Sequence, residues 1–526
     1  MTYDIPHASA VTGLTGAELA DFNALLAVWW RKRERNLVRE RYYNAHNRLK
    51  DLGIAIPPPL KCIKTVVSWP EKAVDYIADR CVLEGFVMEG RDKCPELEEA
   101  LAENDFLSVY AQAVKDCMVS SLAFLAVTAG GAGEPRAMMT AHSARDGAAL
   151  WNDRLNRIRC ALIVAEFDHD RDGRIKGPLV MNLHEPGVVI VLRKARNGRY
   201  VVERRMEHSQ PWPLVEAIRY KPRLGRPFGR SRISPAVIAT TDEAVRERLR
   251  SAVSAEFFTA PQKYILGAED SIFADKGKWE QYIGQWLAVT KDEDGDVPQV
   301  GQFAQGSMQP HTEYMRQLAA EFAGETGVPI SSLGVIHDNP ASAEAIFAAK
   351  EDAIIDAANF NRDNSSALAR IGKLALAVTR GVSAADLDDA EKTIMPRFRS
   401  PDRPSVASQT SAMIQQSSVL PWLAESRVML EQLGYDEAQI VRLLSDKAKA
   451  EARAMLMQQM AKPEEKPREA SMYETASVIK SYRSGRVTRG DAVRLMAKIG
   501  IDADEAAAIL DDAGDDAKGA GDGDAS

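Results

Sequence analysis

A chain of 526 residues with 45% apolar content carries enough hydrophobic material for several globular domains, roughly three or four at about 100–200 residues each. Its formal net charge of −8 excludes a simple basic binder that neutralises many phosphates with surplus Lys and Arg, but not a protein that surrounds nucleic acid. The five cysteines (Cys62, Cys81, Cys94, Cys117, Cys160) are odd in number, widely spaced and free of any C-x-x-C, which argues for reduced thiols and against a disulfide framework or zinc site. The start, MTYDIPHASAVTG, lacks the basic region and apolar run of a signal peptide, and no apolar stretch approaches the ~18 residues of a membrane span. The expectation is a soluble, intracellular protein with no membrane partner.

Thr15-Gly16-Ala17-Glu18 is a capping box, and a long helix follows it with Leu19, Phe22, Leu26 and Trp29 on one face. The same helix then turns basic: Arg31, Lys32, Arg33, Arg35, Arg39 and Arg41 alternate with Trp30, Tyr42 and Tyr43. Two readings stay open, a grip on a nucleic-acid backbone or a solvated face whose stems pack on a neighbour. From Lys61 the pattern becomes mixed. Trp69-Pro70 opens a helix to Arg80, Val82–Val87 reads as a strand, a helix runs from about Asp105 to Met118, and Leu122–Thr128 is a second strand. Between Arg159 and Glu207 the alternation is strand-like, predicting a mainly antiparallel sheet with a type I′ hairpin at Asn197-Gly198. The run Asp168-His169-Asp170-Arg171-Asp172-Gly173 matches the front half of a calcium loop. Its twelfth position is Leu179, where a bidentate Glu is needed, so a β-turn with an Asp/Gly tip is expected.

A second basic stretch, Arg219 to Arg232, precedes a helix from Ser234 to about Phe258. A compact insert of short strand and helix signals follows, with the aromatics Trp279, Tyr282 and Trp286, and then a helix from about Gln309 to Ala323. Two helices of similar length joined through a small module can lie side by side as an antiparallel pair. The stretch Gly324–Ile355 then combines a helix end, a loop containing Pro329, Gly334 and Pro340, and a longer helix starting near Ala341 and running to about Thr379. A loop of about a dozen residues is long for a plain helix connection. A proline-broken linker, Pro396 to Pro404, precedes an all-helical remainder. There Leu433-Gly434-Tyr435-Asp436 and Ile499-Gly500-Ile501-Asp502 each end one helix at glycine. From Asp511 the acidic, glycine-rich end is expected to be disordered.

Catalytic and cofactor signatures are missing. No G-x-x-x-x-G-K-[ST], G-x-S-x-G or H-E-x-x-H stands in the chain, and Gly130-Gly131-Ala132-Gly133 lacks dinucleotide-loop spacing. The eight histidines are scattered singly, His337 among them. No enzyme, cofactor or metal is expected.

Several stretches, in order, resemble the portal proteins of tailed bacteriophages, the long-tailed-phage group common in phages of actinobacteria. They are Tyr42-Tyr43-Asn44, the segment Asp79 to Phe86, Pro227-Phe228-Gly229-Arg230-Ser231-Arg232-Ile233, and Ala260-Pro261-Gln262-Lys263. The most specific are Thr326-Gly327-Val328-Pro329, Leu333-Gly334 and Asn339-Pro340-Ala341-Ser342-Ala343-Glu344-Ala345-Ile346. The similarity runs from about residue 15 to 455. One departure is Val119-Ser120-Ser121, where that family often has a glycine before the strand.

The resemblance implies an α+β portal-type subunit: a mixed α/β wing (1–233), stem helices (234–258 and 309–327), a small α/β clip (259–308), a tunnel loop (328–341), a long wing helix and linker (342–400) and a helical crown (401–462). The helical unit at 463–510 and the tail at 511–526 lie outside it. It further implies a homo-oligomeric ring, usually of twelve, at one capsid vertex of the virion, assembled in the host cytoplasm. Double-stranded DNA would pass without sequence reading, with tunnel-loop candidates Ser331, Ser332, His337, Asp338 and Asn339 facing it. Terminase large subunit and head–tail adaptor would dock at the clip, with Trp279, Tyr282 and Trp286 as candidates, and major capsid and scaffolding proteins complete the partners. The alternative is another minor head or capsid-associated virion protein with a helical, partner-binding C-terminus.

Overall fold

The first helix forms where its cap predicts. Thr15 accepts from the Glu18 backbone N–H while the Glu18 carboxylate accepts from Thr15 N, and α1 (Gly16–Tyr43) follows. In this computed structural model the described residues are 8–46, 65–90, 94–259, 263–266, 299–302, 306–334, 343–402, 406–435, 437–460 and 472–519. The chain divides into two compact units, 1–403 and 404–526, rather than the three or four expected from length.

After α1 come α2 (Trp69–Ala78), β1 (Leu83–Val87), α3 (Pro95–Glu103) and α4 (Phe106–Ser120). The strand-rich part follows as β2 (Leu122–Ala129), β3 (Ala137–Ser143), β4 (Gly147–Asn152), β5 (Arg157–His169), β6 (Ile175–Glu185), β7 (Val188–Lys194), β8 (Tyr200–Glu207) and β9 (Val215–Arg219). Then come α5 (Pro235–Thr259), β10 (Lys263–Leu266), β11 (Gln299–Gln302), α6 (Gln309–Thr326), α7 (Ala343–Arg380) and β12 (Met395–Phe398). Among the described residues every pair of these strands is antiparallel. The sheets are β4-β5-β6-β7-β8, β3-β2-β9, β1-β12 and β10-β11.

The period-two pattern of β5 explains how three layers stack. Cys160, Leu162 and Val164 face α1, where Phe22, Leu25, Leu26 and Trp29 are buried. Ala161 and Ile163 face the other way, onto Phe124, Ala126, Val215 and Ala217 of the three-stranded sheet. A larger core gathers α2, α4 and α7 around Tyr110, Phe322, Phe360 and Leu368, which is why helices far apart in sequence form one unit.

Three local expectations are corrected. At the β7–β8 turn only Gly198 has a positive φ (80°), Gly198 N donates to Ala195 O and Ala195 N donates to Arg199 O. That is a longer turn closed by a left-handed glycine, because a type I′ turn needs positive φ at Asn197 as well. The β5–β6 turn has the same build: Asp170 Oδ1 accepts from Asp172 N and Arg174 N, with Gly173 at φ 75°. Pro396, placed at the start of a linker, sits inside β12 opposite Phe86. The tail expected from Asp511 is helical through Gly519, since Leu510 and Ala513 are buried and Asp511 pairs with Arg489.

The second unit is helical throughout its described residues: α8 (Val406–Val419), α9 (Arg427–Gln432), α10 (Glu437–Met460), α11 (Met472–Arg483), α12 (Arg489–Lys498) and α13 (Ala503–Gly519). Gly434 (φ 87°) and Gly500 (φ 95°) end α9 and α12 in the left-handed region, as their sequence punctuation predicts. Ala492, Met496, Ala506 and Leu510 form a small core of α12 and α13. Among the described residues no helix is long and apolar enough to cross a membrane.

Candidate functional site at the paired helices

Helices α5 and α6 run antiparallel, tied at both ends. Ser234 Oγ donates to Glu325 Oε1 at 3.1 Å at one end. At the other, His311 bridges Glu247 (Nδ1 to Oε1, 2.5 Å) and Ser254 (Nε2 to Oγ, 3.0 Å). Between the helices in sequence, the described residues are the strand pair β10-β11, with Tyr264 opposite Gly301. Trp279, Tyr282 and Trp286 lie outside the described residues, and so do His337, Asp338 and Asn339.

The segment after α6 begins with Gly327 at φ 68°, a left-handed residue that ends the helix. A single 3-10 turn, Ile330–Leu333, follows Pro329. It exposes Ser331 and Ser332 while burying Leu333. The base of this loop is held firmly: Trp69 Nε1 donates to Leu333 O at 3.3 Å, and the Trp69 ring packs on Phe322 at 5.4 Å. The two hydroxyls thus project from a turn whose apolar underside is pinned. They offer hydrogen bonds without charge, so they can touch a polar surface without gripping it.

Below the loop lies a buried polar cluster that motif reading did not find. The Arg232 guanidinium donates to Asp356 Oδ2 (2.9 Å), to Tyr220 OH (2.7 Å), and to the carbonyls of Ala73 and Thr326. Tyr220 OH donates to Asp356 Oδ2 at 2.6 Å, and Lys221 Nζ reaches the same oxygen at 2.9 Å. One arginine therefore joins α2, the end of α6 and α7. Burial and the nearby Asp356 charge push the Tyr220 phenol up, so it stays a neutral donor. Further along α7, Asn364 covers the free edge of β9, accepting from Arg219 N (2.7 Å) and donating to Arg219 O (3.0 Å). Arg370 then clasps buried Glu216 with two bonds, at 2.7 and 2.9 Å. The sequence signal for this set was weak: Arg232 looked like one more member of a basic run, and Asp356 and Asn364 like polar residues of a long helix.

The aromatics of α1 are committed within the fold. Tyr42 OH donates to Asp242 (2.8 Å) and Tyr43 OH to Asp75 (2.9 Å), while Trp30 packs against the α1–sheet core. They hold α1 to the fold and are not stacking platforms. As for metals, Asp21, Cys160 and Glu185 bring one ligand atom each within 4.8 Å of one another. Arg159 already holds Asp21 by two bonds at 2.6 and 2.7 Å, which leaves that set a poor cage.

Residues 23–418 match the family described as "Phage portal protein, SPP1 Gp6-like". The chain belongs to this portal family. It is 24% identical over 383 residues to the portal protein of Mycobacterium phage L5, covering 70% of this chain and 76% of that one. The portal protein of Mycobacterium phage D29 gives the same identity and coverage. Among solved structures it is similar to a chain in the "Neck of empty GTA particle computed with C6 symmetry" (14% identity, TM-score 0.40, 73% of this chain and 89% of that one). A chain in the "Neck of native GTA particle computed with C12 symmetry" is also similar (13% identity, TM-score 0.38, 76% and 93%). The portal match spans α1 through α8, so it includes the paired helices, the pinned loop and the buried cluster.

Proposed function

We propose that this portal-family chain assembles as a ring of twelve at one capsid vertex and conducts double-stranded DNA during packaging and ejection. The observation that carries the reading is the family match across residues 23–418. In this reading α5 and α6 form the stem, the module between them the clip, and residues 328–341 the tunnel loop. The region 1–233 with α7 forms the wing, and the helices from 401 to 462 the crown.

DNA must slide through such a channel, so tight clamping of phosphates would be a defect, and a net charge of −8 suits a conduit. Ser331, Ser332, His337, Asp338 and Asn339 touch the duplex through short polar groups without reading bases. Terminase and then a head–tail adaptor dock on the clip through Trp279, Tyr282 and Trp286, while capsid and scaffolding proteins surround the wing. The protein itself is not an enzyme, and the motor that consumes nucleotide is a separate chain.

Electron microscopy of the purified protein tests the assembly: rings with a central hole wide enough for duplex DNA are expected, and monodisperse monomers under assembly conditions overturn it. Replacing His337, Asp338 and Asn339 with Gly and Ser in the phage tests the loop, and normal packaging removes that assignment.

A further inference from the structure

The two basic stretches of the sequence, some 190 residues apart, meet in space. Lys32, Arg35 and Arg39 of α1 line one side of a cavity of about 370 Å3, and Arg226 and Arg230 line the other. The second side is a short hairpin: Arg223 N donates to Arg226 O and Arg226 N to Arg223 O, with Gly225 at φ 73° in its turn. Its tip residue Leu224 is fully exposed, so the hairpin projects beside the cavity.

These five cations differ from their neighbours in one respect. Arg145 is held by Glu40 and Asp146, Arg232 and Lys221 by Asp356, and Arg33 by Glu34. Among the described residues, no carboxylate comes within ion-pair distance of Lys32, Arg35, Arg39, Arg226 or Arg230. Arg39 has only neutral partners, Asn36 Oδ1 and Ser120 O, both at 3.4 Å. Burial, then the charge of Arg35, pushes its guanidinium down to about 10. Burial and the charges of Arg35, Arg31, Arg39 and Arg226 likewise lower Lys32. Like charges collected around one hollow repel each other, and an anion placed there relieves all of them at once.

No carboxylate lines the cavity, and its neutral acceptors Asn36 Oδ1 and Ser120 O are already taken by Arg39. Asn36 Nδ2 is committed to Ala144 O and Ser231 Oγ to Val119 O. Gly147 and Gly229 close the cavity where a Cβ would overlap Phe124 and Tyr220 O, which fixes its shape.

We propose that this cavity is a phosphate-binding site, and that it holds backbone phosphates of a nucleic acid against the wing side of the protein. A single carboxylate offers one charge to five cations, whereas a run of phosphodiesters offers several within the same short span. Four of the five are arginines, whose planar fork matches phosphate oxygens with two parallel bonds. The site is separate from the Ser331–Ser332 loop, and it rests on charge and cavity geometry rather than on ring formation.

The test uses the full-length protein and a short labelled DNA duplex, with binding followed by fluorescence anisotropy across a salt series. The triple variant Lys32→Gln, Arg35→Gln, Arg226→Gln, whose side chains end at the surface, is expected to bind at least about tenfold more weakly and to lose about 2–3 from the log–log salt slope, near 0.9 per phosphate contact removed. Ser331→Gly with Ser332→Gly removes no charge and leaves the salt slope unchanged whatever it does to affinity, which separates the result from the fate of the tunnel-loop reading. Tripolyphosphate should raise the melting temperature of the unaltered protein, a measurement that needs no variant. A melting shift with tripolyphosphate and no duplex binding would assign the site to free phosphates. Equal duplex affinity and salt slope in wild type and triple variant, or no melting shift, overturns the proposal. So does displacement of nothing but an acidic peptide, which would make the partner a protein.

Discussion

Arg232 and Asp356 stand 124 residues apart in the chain and meet at 2.9 Å in the interior, with side chains 5% and 11% exposed. Their pair is the point where α7 is fastened to the end of α6. Its two members are not equivalent. Lys221 and Tyr220 remain on Asp356 if the arginine is lost, whereas Arg232 keeps only neutral acceptors if the carboxylate is lost.

Asp356→Leu is therefore expected to destabilise the first unit by about 3–5 kcal/mol, and Arg232→Met by less, because an uncompensated buried charge is the costlier defect. Urea denaturation of both variants checks the order. A larger loss for Arg232→Met would mean that Lys221 does not substitute for it.

Ser121 occupies φ 96°, a left-handed conformation at the end of α4. A Cβ is strained in that conformation, which glycine adopts freely. Ser121→Gly should stabilise the protein by about 1 kcal/mol, read as a rise in denaturation midpoint. An unchanged or lowered midpoint would show that the Ser121 side chain offsets the strain.

Gly229 has the opposite margin. At φ 70°, a Cβ would overlap Tyr220 O, the acceptor of the Arg230 N–H at 2.9 Å. Gly229→Ala is expected to cost more than about 2 kcal/mol, from the left-handed penalty together with the displaced turn. The same denaturation series measures it.

His184 lines a cavity of about 710 Å3 between the two larger sheets, where His142, Glu166, Arg193, Glu203 and Arg204 also face the space. Burial, then the charges of His142 and His208, pushes its imidazole down to about 3. An unfolded histidine titrates near 6.5, so between these values the unfolded state binds more protons. The stability present above about pH 6.5 is lost as pH falls toward 3. His184→Gln should flatten that decline between about pH 6.5 and 4, measured by urea midpoints. A decline as steep as that of the unaltered protein would assign the acid sensitivity to other groups.

Local chemistry alone determined much of this protein. The Thr15–Glu18 box, the Pro70 helix start, the alternation through β5 to β8 and the glycines at 327, 434 and 500 each act within a few residues, so they are readable in order along the chain. The turn at Gly198 and the end of the last helix depart from the local pattern because they are not set locally. A turn's exact φ values and a helix's last two turns depend on what packs beside them. Only the tertiary structure decided which polar residues matter. Identical-looking arginines of one basic run divide between a buried brace at Arg232 and an unpaired wall at Arg226 and Arg230, because burial and the position of distant carboxylates set their roles. Charge is carried by residue type, but neutralisation is a property of space.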